Sequence, residues 1–306
     1  MIKTENSYSN FEWIQIINPS DEEIGQVRAD YNLSWEMIQY ATDNFESPRY
    51  DHYEDTDLVI VNGIAEKVKK GVKIQPIAFF IQNSTRLITF TNYATSQMLS
   101  DIIQKMPEGY KESIPPEKMQ PFDLVLNAFY NLTAQYLDAL SEVERKRNLL
   151  QSELYHKRNS EYLSELLNVK VELIYYLSAL EKNRATLQQF RKEYQQKIDT
   201  PEIKYLRDIE IEMKQALDMA NISTKIMNLL SDAYENIVNN KTNRSMSILT
   251  VASIVLAIPA IIVGFFGMNV TLPGEEEASA WLLITIGTIL LMFWVYIILK
   301  KRGFFN

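Results

Sequence analysis

Residues 245–274 read SMSILTVASIVLAIPAIIVGFFGMNVTLPG, without one charged side chain. Residues 278–299, ASAWLLITIGTILLMFWVYIIL, are uncharged as well. Each stretch holds roughly the 20 apolar residues that a helix needs to cross a hydrocarbon core about 30 Å thick. The rest of the chain is polar and strongly charged. Whole-chain averages of 46% hydrophobic and 23% charged residues therefore hide a division into a membrane hairpin and a large extramembrane part.

Working outward, Lys241 and Arg244 precede the first span and Lys300-Lys301-Arg302 follow the second. The loop between them has no basic residue and carries Glu275, Glu276 and Glu277. Basic flanks belong on the cytoplasmic side, so both termini are expected inside the cell membrane and the short loop outside. The N-terminal Met1-Ile2-Lys3-Thr4-Glu5-Asn6-Ser7 has no apolar core and no signal-peptide pattern. With no cysteine, disulfides and thiolate metal sites are excluded. A net charge of −8 without a basic stripe argues against a nucleic-acid partner.

The remainder predicts an α+β membrane protein: an N-terminal α/β sandwich in the cytoplasm, a long helical stalk and a C-terminal two-helix transmembrane hairpin. Alternation at 11–16, 58–64, 74–81 and 86–91 indicates strands. Pro19-Ser20-Asp21-Glu22-Glu23 and Ser34-Trp35-Glu36 open helices. After Pro121, residues 122–157 and 161–197 carry apolar residues at helical spacing, with Leu163, Leu166, Leu167, Val171, Ile174 and Leu177 as the stripe of the second. Pro201 opens a third helix with no Gly or Pro before Pro259. It is expected to run from the cytoplasm into the membrane over about 60 residues, some 90 Å, as a stalk that self-associates. The expected boundaries are 1–120 for the α/β domain, 121–200 for antiparallel helices and 201–245 for the stalk. They continue with 246–268 for the first span, 269–279 for the outer loop, 280–299 for the second span and 300–306 for the basic tail.

Asn243, Met246, Leu249, Ser253, Ala257, Ala260 and Gly264 recur at three- and four-residue steps, on one face of the first span. Most beyond Leu249 are small or polar, while Ile248, Val251, Val255, Ile258 and Ile262 occupy the remaining face. A small-residue face serves close helix packing or lines a pore.

The span ends in Gly264-Phe265-Phe266-Gly267-Met268-Asn269, followed by the acidic loop, the second span and the basic tail. This arrangement resembles the CorA family of magnesium and cobalt transporters, whose hallmark is Gly-Met-Asn after the first of two C-terminal spans. The resemblance covers nearly the whole chain by architecture and residues 201–302 by motif, including Asn240-Lys241-Thr242-Asn243 and Pro259. It implies a homopentamer around a central pore, with Gly267, Met268 and Asn269 as the selectivity filter. It also implies a closing constriction at Met246 and Leu249, and Asn243 at the cytoplasmic mouth. Neutral oxygens suit Mg²⁺, which gives up its waters reluctantly. Asn269 also suits a helix C-cap. Glu275, Glu276 and Glu277 either gather cations at the outer mouth or simply keep the loop soluble. The family usually has Tyr where Phe266 stands and often Thr where Ala260 stands, so two hydroxyls are missing from the expected pore.

The resemblance further implies a cytoplasmic Mg²⁺ site that holds the pore shut, its stalk acid matching Asp208. The family's Glu-Asp pair on the N-terminal domain meets Glu36-Met37 here, leaving Glu36 or Asp43 as the partner carboxylate, or Asp208 as a solvated stalk residue. No organic cofactor and no catalytic arrangement is expected: His52 and His156 stand far apart, and no phosphate-binding loop is present. The expected function is passive, potential-driven Mg²⁺ influx. The alternatives are a channel tuned to Co²⁺, Ni²⁺ or Zn²⁺, and a non-conducting membrane-anchored scaffold.

Overall fold

The structure, a computed structural model, describes residues 1–5, 10–68, 71–104, 106–154, 160–195, 199–268 and 280–302. They form two compact units, Met1–Leu229 and Leu230–Asn306.

In the first unit, strands β1 (Ile2–Glu5), β2 (Glu12–Ile17), β3 (Arg49–Tyr53), β4 (Thr56–Val68), β5 (Gly71–Gln82) and β6 (Arg86–Thr91) make one sheet in the order β1-β2-β6-β5-β4-β3. All neighbours are antiparallel except β2 and β6, which run parallel. That parallel pair needs a long crossover, and helices α1 (Asp21–Tyr31) and α2 (Trp35–Thr42) lie within it. Ser20 caps α1 through a capping box with Glu23, and the left-handed Asn32 ends it. Ser34 caps α2 by accepting the Met37 N–H at 3.1 Å.

Side chains alternate across the sheet. Ile14, Ile16, Leu58, Ile60, Phe80, Ile88 and Phe90 join Val27, Met37 and Ile38 in a core on one face. Trp13, Val59, Val61, Phe79 and Leu87, of opposite parity, are also buried. On that side pack α3 (Tyr93–Gln104), α5 (Pro121–Glu153) and α6 (Ser160–Tyr194). The result is a three-layer sandwich. Helix α4 (Glu108–Ser113) and the 3-10 turn Pro116–Lys118 lead into α5.

One strand position breaks the ladder. Asn62 of β4 lies opposite Pro76 of β5, which has no N–H to give. Asn183 of α6 pairs with both backbone groups of Asn62: its Oδ1 accepts the Asn62 N–H at 2.9 Å and its Nδ2 donates to the Asn62 carbonyl at 2.8 Å. The Tyr136 hydroxyl donates to the same carbonyl at 3.1 Å. Beside it, Gly63 has no room for a side chain, since a Cβ would come within 2.7 Å of both Met98 and Leu132.

The apolar stripe expected for α6 is corrected. Leu166 is buried, but Leu163, Leu167, Val171 and Ile174 are exposed. The packed face is instead Tyr162, Leu166, Val169, Leu173, Tyr176 and Leu180. The tyrosines decide it, because their polar ends find partners inside: the Tyr162 hydroxyl donates to the Leu150 carbonyl, and Tyr176 meets Tyr136 edge-on.

Helix α7 (Thr200–Phe266) is continuous over 67 residues and belongs to both units. In the first, Leu206, Ile209, Met213, Ala216, Leu217 and Ala220 form its buried stripe. Helix α8 (Ala280–Lys301) completes the second unit.

Candidate functional site

Among the described residues, two helices are long and apolar enough to cross a membrane, α7 and α8, each with a mean hydropathy of 2.6 over its most apolar window. Coverage on the first span is periodic. Val251 is buried, and Ser247, Val255, Ile258, Pro259 and Ile262 are half-buried. On α8 the half-buried positions Ile284, Thr288, Met292, Val295 and Ile298 recur at the same helical spacing. These are the faces by which each span is covered within the unit.

The candidate lining residues stand elsewhere. Met246, Leu249, Ser253, Ala257, Ala260 and Gly264 are all exposed, as is Asn243 before them. At 100° per residue, the centre of the set 246–264 lies about 170° around the helix from the centre of the covered stripe. A face of small and polar residues thus lies opposite the half-buried stripe of the first span. Its hydroxyl is already engaged: Ser253 Oγ donates to the Leu249 carbonyl at 2.9 Å, which leaves its lone pairs to accept from water. Pro259 cannot donate to the Val255 carbonyl four residues back, so the ladder is interrupted on the covered side.

The helix finishes at Gly267. Its N–H still reaches the Val263 carbonyl at 2.9 Å, and Met268 N–H bonds the Phe265 carbonyl at 3.4 Å in a tighter turn. A Cβ on Gly267 would sit 3.1 Å from the Val263 oxygen, a tight contact with the last turn of the helix. Gly264 has open space around it. The Met268 side chain is exposed, and Phe265 and Phe266 meet edge-on. Asn269, Glu275, Glu276 and Glu277 lie outside the described residues.

The candidate regulatory acids are not brought together within one chain. Asp208 is exposed on α7 and lines a cleft of about 340 Å³ with Tyr110, Tyr130, Lys204, Tyr205 and Glu212. Glu36, on α2, accepts the Tyr40 hydroxyl at 2.9 Å. Asp43 caps the end of α2 and accepts the Phe45 N–H at 2.8 Å. Among the described residues no group of three metal-ligating side chains occurs.

Sequence reasoning missed two buried carboxylates. Asp57 on β4 accepts the hydroxyls of Tyr50 and Tyr194 at 2.6 Å each and lies 2.6 Å from His52 Nδ1. Asp123 opens α5 and accepts the Tyr110 hydroxyl at 2.6 Å. The second had a signal: Gln120-Pro121-Phe122-Asp123 has the spacing of a helix cap with Pro at the first position.

A model of the family described as CorA-like Mg²⁺ transporter protein matches residues 8–301. The chain belongs to the CorA family. A cobalt/magnesium transport protein CorA of Methanocaldococcus jannaschii is 24% identical over 287 residues, covering 93% of this chain and 89% of its own length. A magnesium transport protein CorA of Helicobacter pylori is 23% identical over 307 residues, covering 95% and 90%. Among solved structures, the complete CorA magnesium transporter of M. jannaschii superposes with a TM-score of 0.79 at 21% identity, covering 96% of this chain and 92% of that one. The CorA fold accounts for a soluble α/β part, a long helix and two C-terminal apolar helices in one chain.

Proposed function

We propose that this CorA-family chain is the subunit of a divalent-cation channel that admits Mg²⁺ passively through the cell membrane. The observation that carries this reading is the exposed small and polar face of the first span, opposite its half-buried stripe and ending at Gly267-Met268. A homopentamer turns five such faces toward one axis and encloses a wet path. Gly267, Met268 and Asn269 then ring the outer end, with Glu275, Glu276 and Glu277 concentrating cations beyond it. Met246 and Leu249 form the apolar constriction, and Asn243 the inner mouth. Both termini face the cytoplasm, as the basic flanks require.

The driving force is sufficient without an engine. Moving one charge through 100 mV is worth about 2.3 kcal/mol, so a divalent ion gains about 4.6, more than a thousandfold in equilibrium ratio. Control then becomes the demanding task. Cytoplasmic Mg²⁺ bridging Asp208 to Glu36 or Asp43 of a neighbouring copy would hold the pore shut.

The test is Mg²⁺ uptake into proteoliposomes under an inside-negative potential, comparing the natural chain with Asn269→Ala. Uptake is expected to fall by tenfold or more in the variant with oligomer size preserved. Absence of uptake by the well-folded natural chain at low internal Mg²⁺ overturns the channel and leaves a tethered scaffold. Uptake of Co²⁺ or Zn²⁺ that Mg²⁺ does not compete with reassigns the ion.

A further inference from the structure

Helices α4, α5 and α7 meet at the foot of α7, and a carboxylate sits at the junction. Asp123, the third residue of α5, is 2% exposed. Its Oδ2 accepts the Gln120 N–H at 2.8 Å, closing the helix cap, and its Oδ1 accepts the Tyr110 hydroxyl at 2.6 Å. The Tyr110 ring stacks on Tyr205 of α7, with centroids 3.9 Å apart. The Tyr205 hydroxyl returns to α5, donating to Asn127 Oδ1 at 3.3 Å. The other charged group acting on Asp123 is Glu202 of α7, whose Oε2 is buried without a hydrogen-bond partner.

We propose that Asp123 and Glu202 form a proton-responsive joint between the start of α5 and the foot of α7, strained when both are ionised and relaxed when Asp123 takes up a proton. A carboxylate that merely caps a helix is held low by the hydrogen bonds it accepts. Asp123 goes the other way. Burial pushes it up, the Tyr110 hydroxyl and Gln120 N–H pull it down, and the Glu202 charge pushes it up again. The balance lies at about 6, against an ordinary 3.8. The folded chain therefore binds this proton more tightly than the unfolded chain does. By linkage, the resulting stabilisation is fully present below the unfolded value and is lost as pH rises through about 6. The inference stands on the first unit alone and does not depend on which ion crosses the membrane.

The experiment follows the protonated-carboxyl band in infrared difference spectra of the full-length protein between about pH 7.5 and about pH 5. The natural chain is expected to show a carboxyl titrating near 6, absent in Asp123→Asn. Glu202→Gln removes a charge that raises the value, so the midpoint moves to lower pH. Tyr110→Phe removes a hydrogen bond that lowers it, so the midpoint moves to higher pH. The thermal midpoint of the natural chain rises on acidification through this window, and that rise shrinks in Asp123→Asn. A band that survives in Asp123→Asn, or an unmoved midpoint in both Glu202→Gln and Tyr110→Phe, overturns the proposal. Should Asp123→Asn fail to fold, the opposite shifts in the other two variants decide it.

Discussion

Asn183 does the work of a strand from the middle of a helix. Its amide meets both backbone groups of Asn62, the β4 residue in register with Pro76. Truncating it exposes no surface, since it is 2% exposed, but leaves a buried N–H unpaired. Asn183→Ala is expected to cost about 1–3 kcal/mol, read as a lowered thermal midpoint of the full-length protein with uptake per folded molecule unchanged. At this scale the sequence was only partly legible. The terminal motif Gly267-Met268 could be read directly, and its glycine sits tightly against the Val263 carbonyl of the last helical turn. Asp123 could not be read as a strained acid, because its environment comes from Tyr110 on one side and from Glu202, almost eighty positions later in the chain. Local spacing carries no record of such an encounter.

The elements themselves followed from periodicity where one face was strongly biased. Strands β2, β4, β5 and β6 and helices α5, α6 and α7 fall within a few residues of their expected limits, and α1 and α2 open where expected. The missed strands are the two at the sheet's edges. β1 is four residues long, and β3 reads Arg49-Tyr50-Asp51-His52-Tyr53; an edge strand that carries polar side chains loses the alternation that announces it. Helix α6 was found but its packed face was misjudged, because it is apolar on two sides and only the tyrosine partners break the tie. The first span shows the opposite case, an element whose two faces differ in chemistry and in coverage. There the proposed constriction makes a definite claim. Dewetting needs apolar walls, so Leu249→Asn is expected to keep the path wet. Uptake in that variant should persist at high internal Mg²⁺, where the natural chain closes; normal closure would remove Leu249 from the constriction.

At the scale of the whole molecule, the division into two units tells where control has to act. Asp208 stands in the first unit, exposed and away from Glu36 and Asp43 of its own chain, while the candidate path belongs to the second. On the proposed function, inhibition by cytoplasmic Mg²⁺ acts through an acid of a neighbouring copy. Asp208→Ala is expected to weaken that inhibition several-fold while leaving flux at low internal Mg²⁺ unchanged, measured as uptake against preloaded internal Mg²⁺. Unaltered inhibition would make Asp208 a solvated stalk residue.

The two apolar helices have a consequence for electrical behaviour. A protein senses voltage by shifting its own charges through the field, each worth about 2.3 kcal/mol per 100 mV. Neither 245–274 nor 278–299 contains an Asp, Glu, Lys, Arg or His with which to do so. On the proposed function, membrane potential propels the permeating ion but has no lever on the gate. Current through the open path then varies with voltage through the ion alone, and the fraction of time spent open is set by chemistry on the cytoplasmic side.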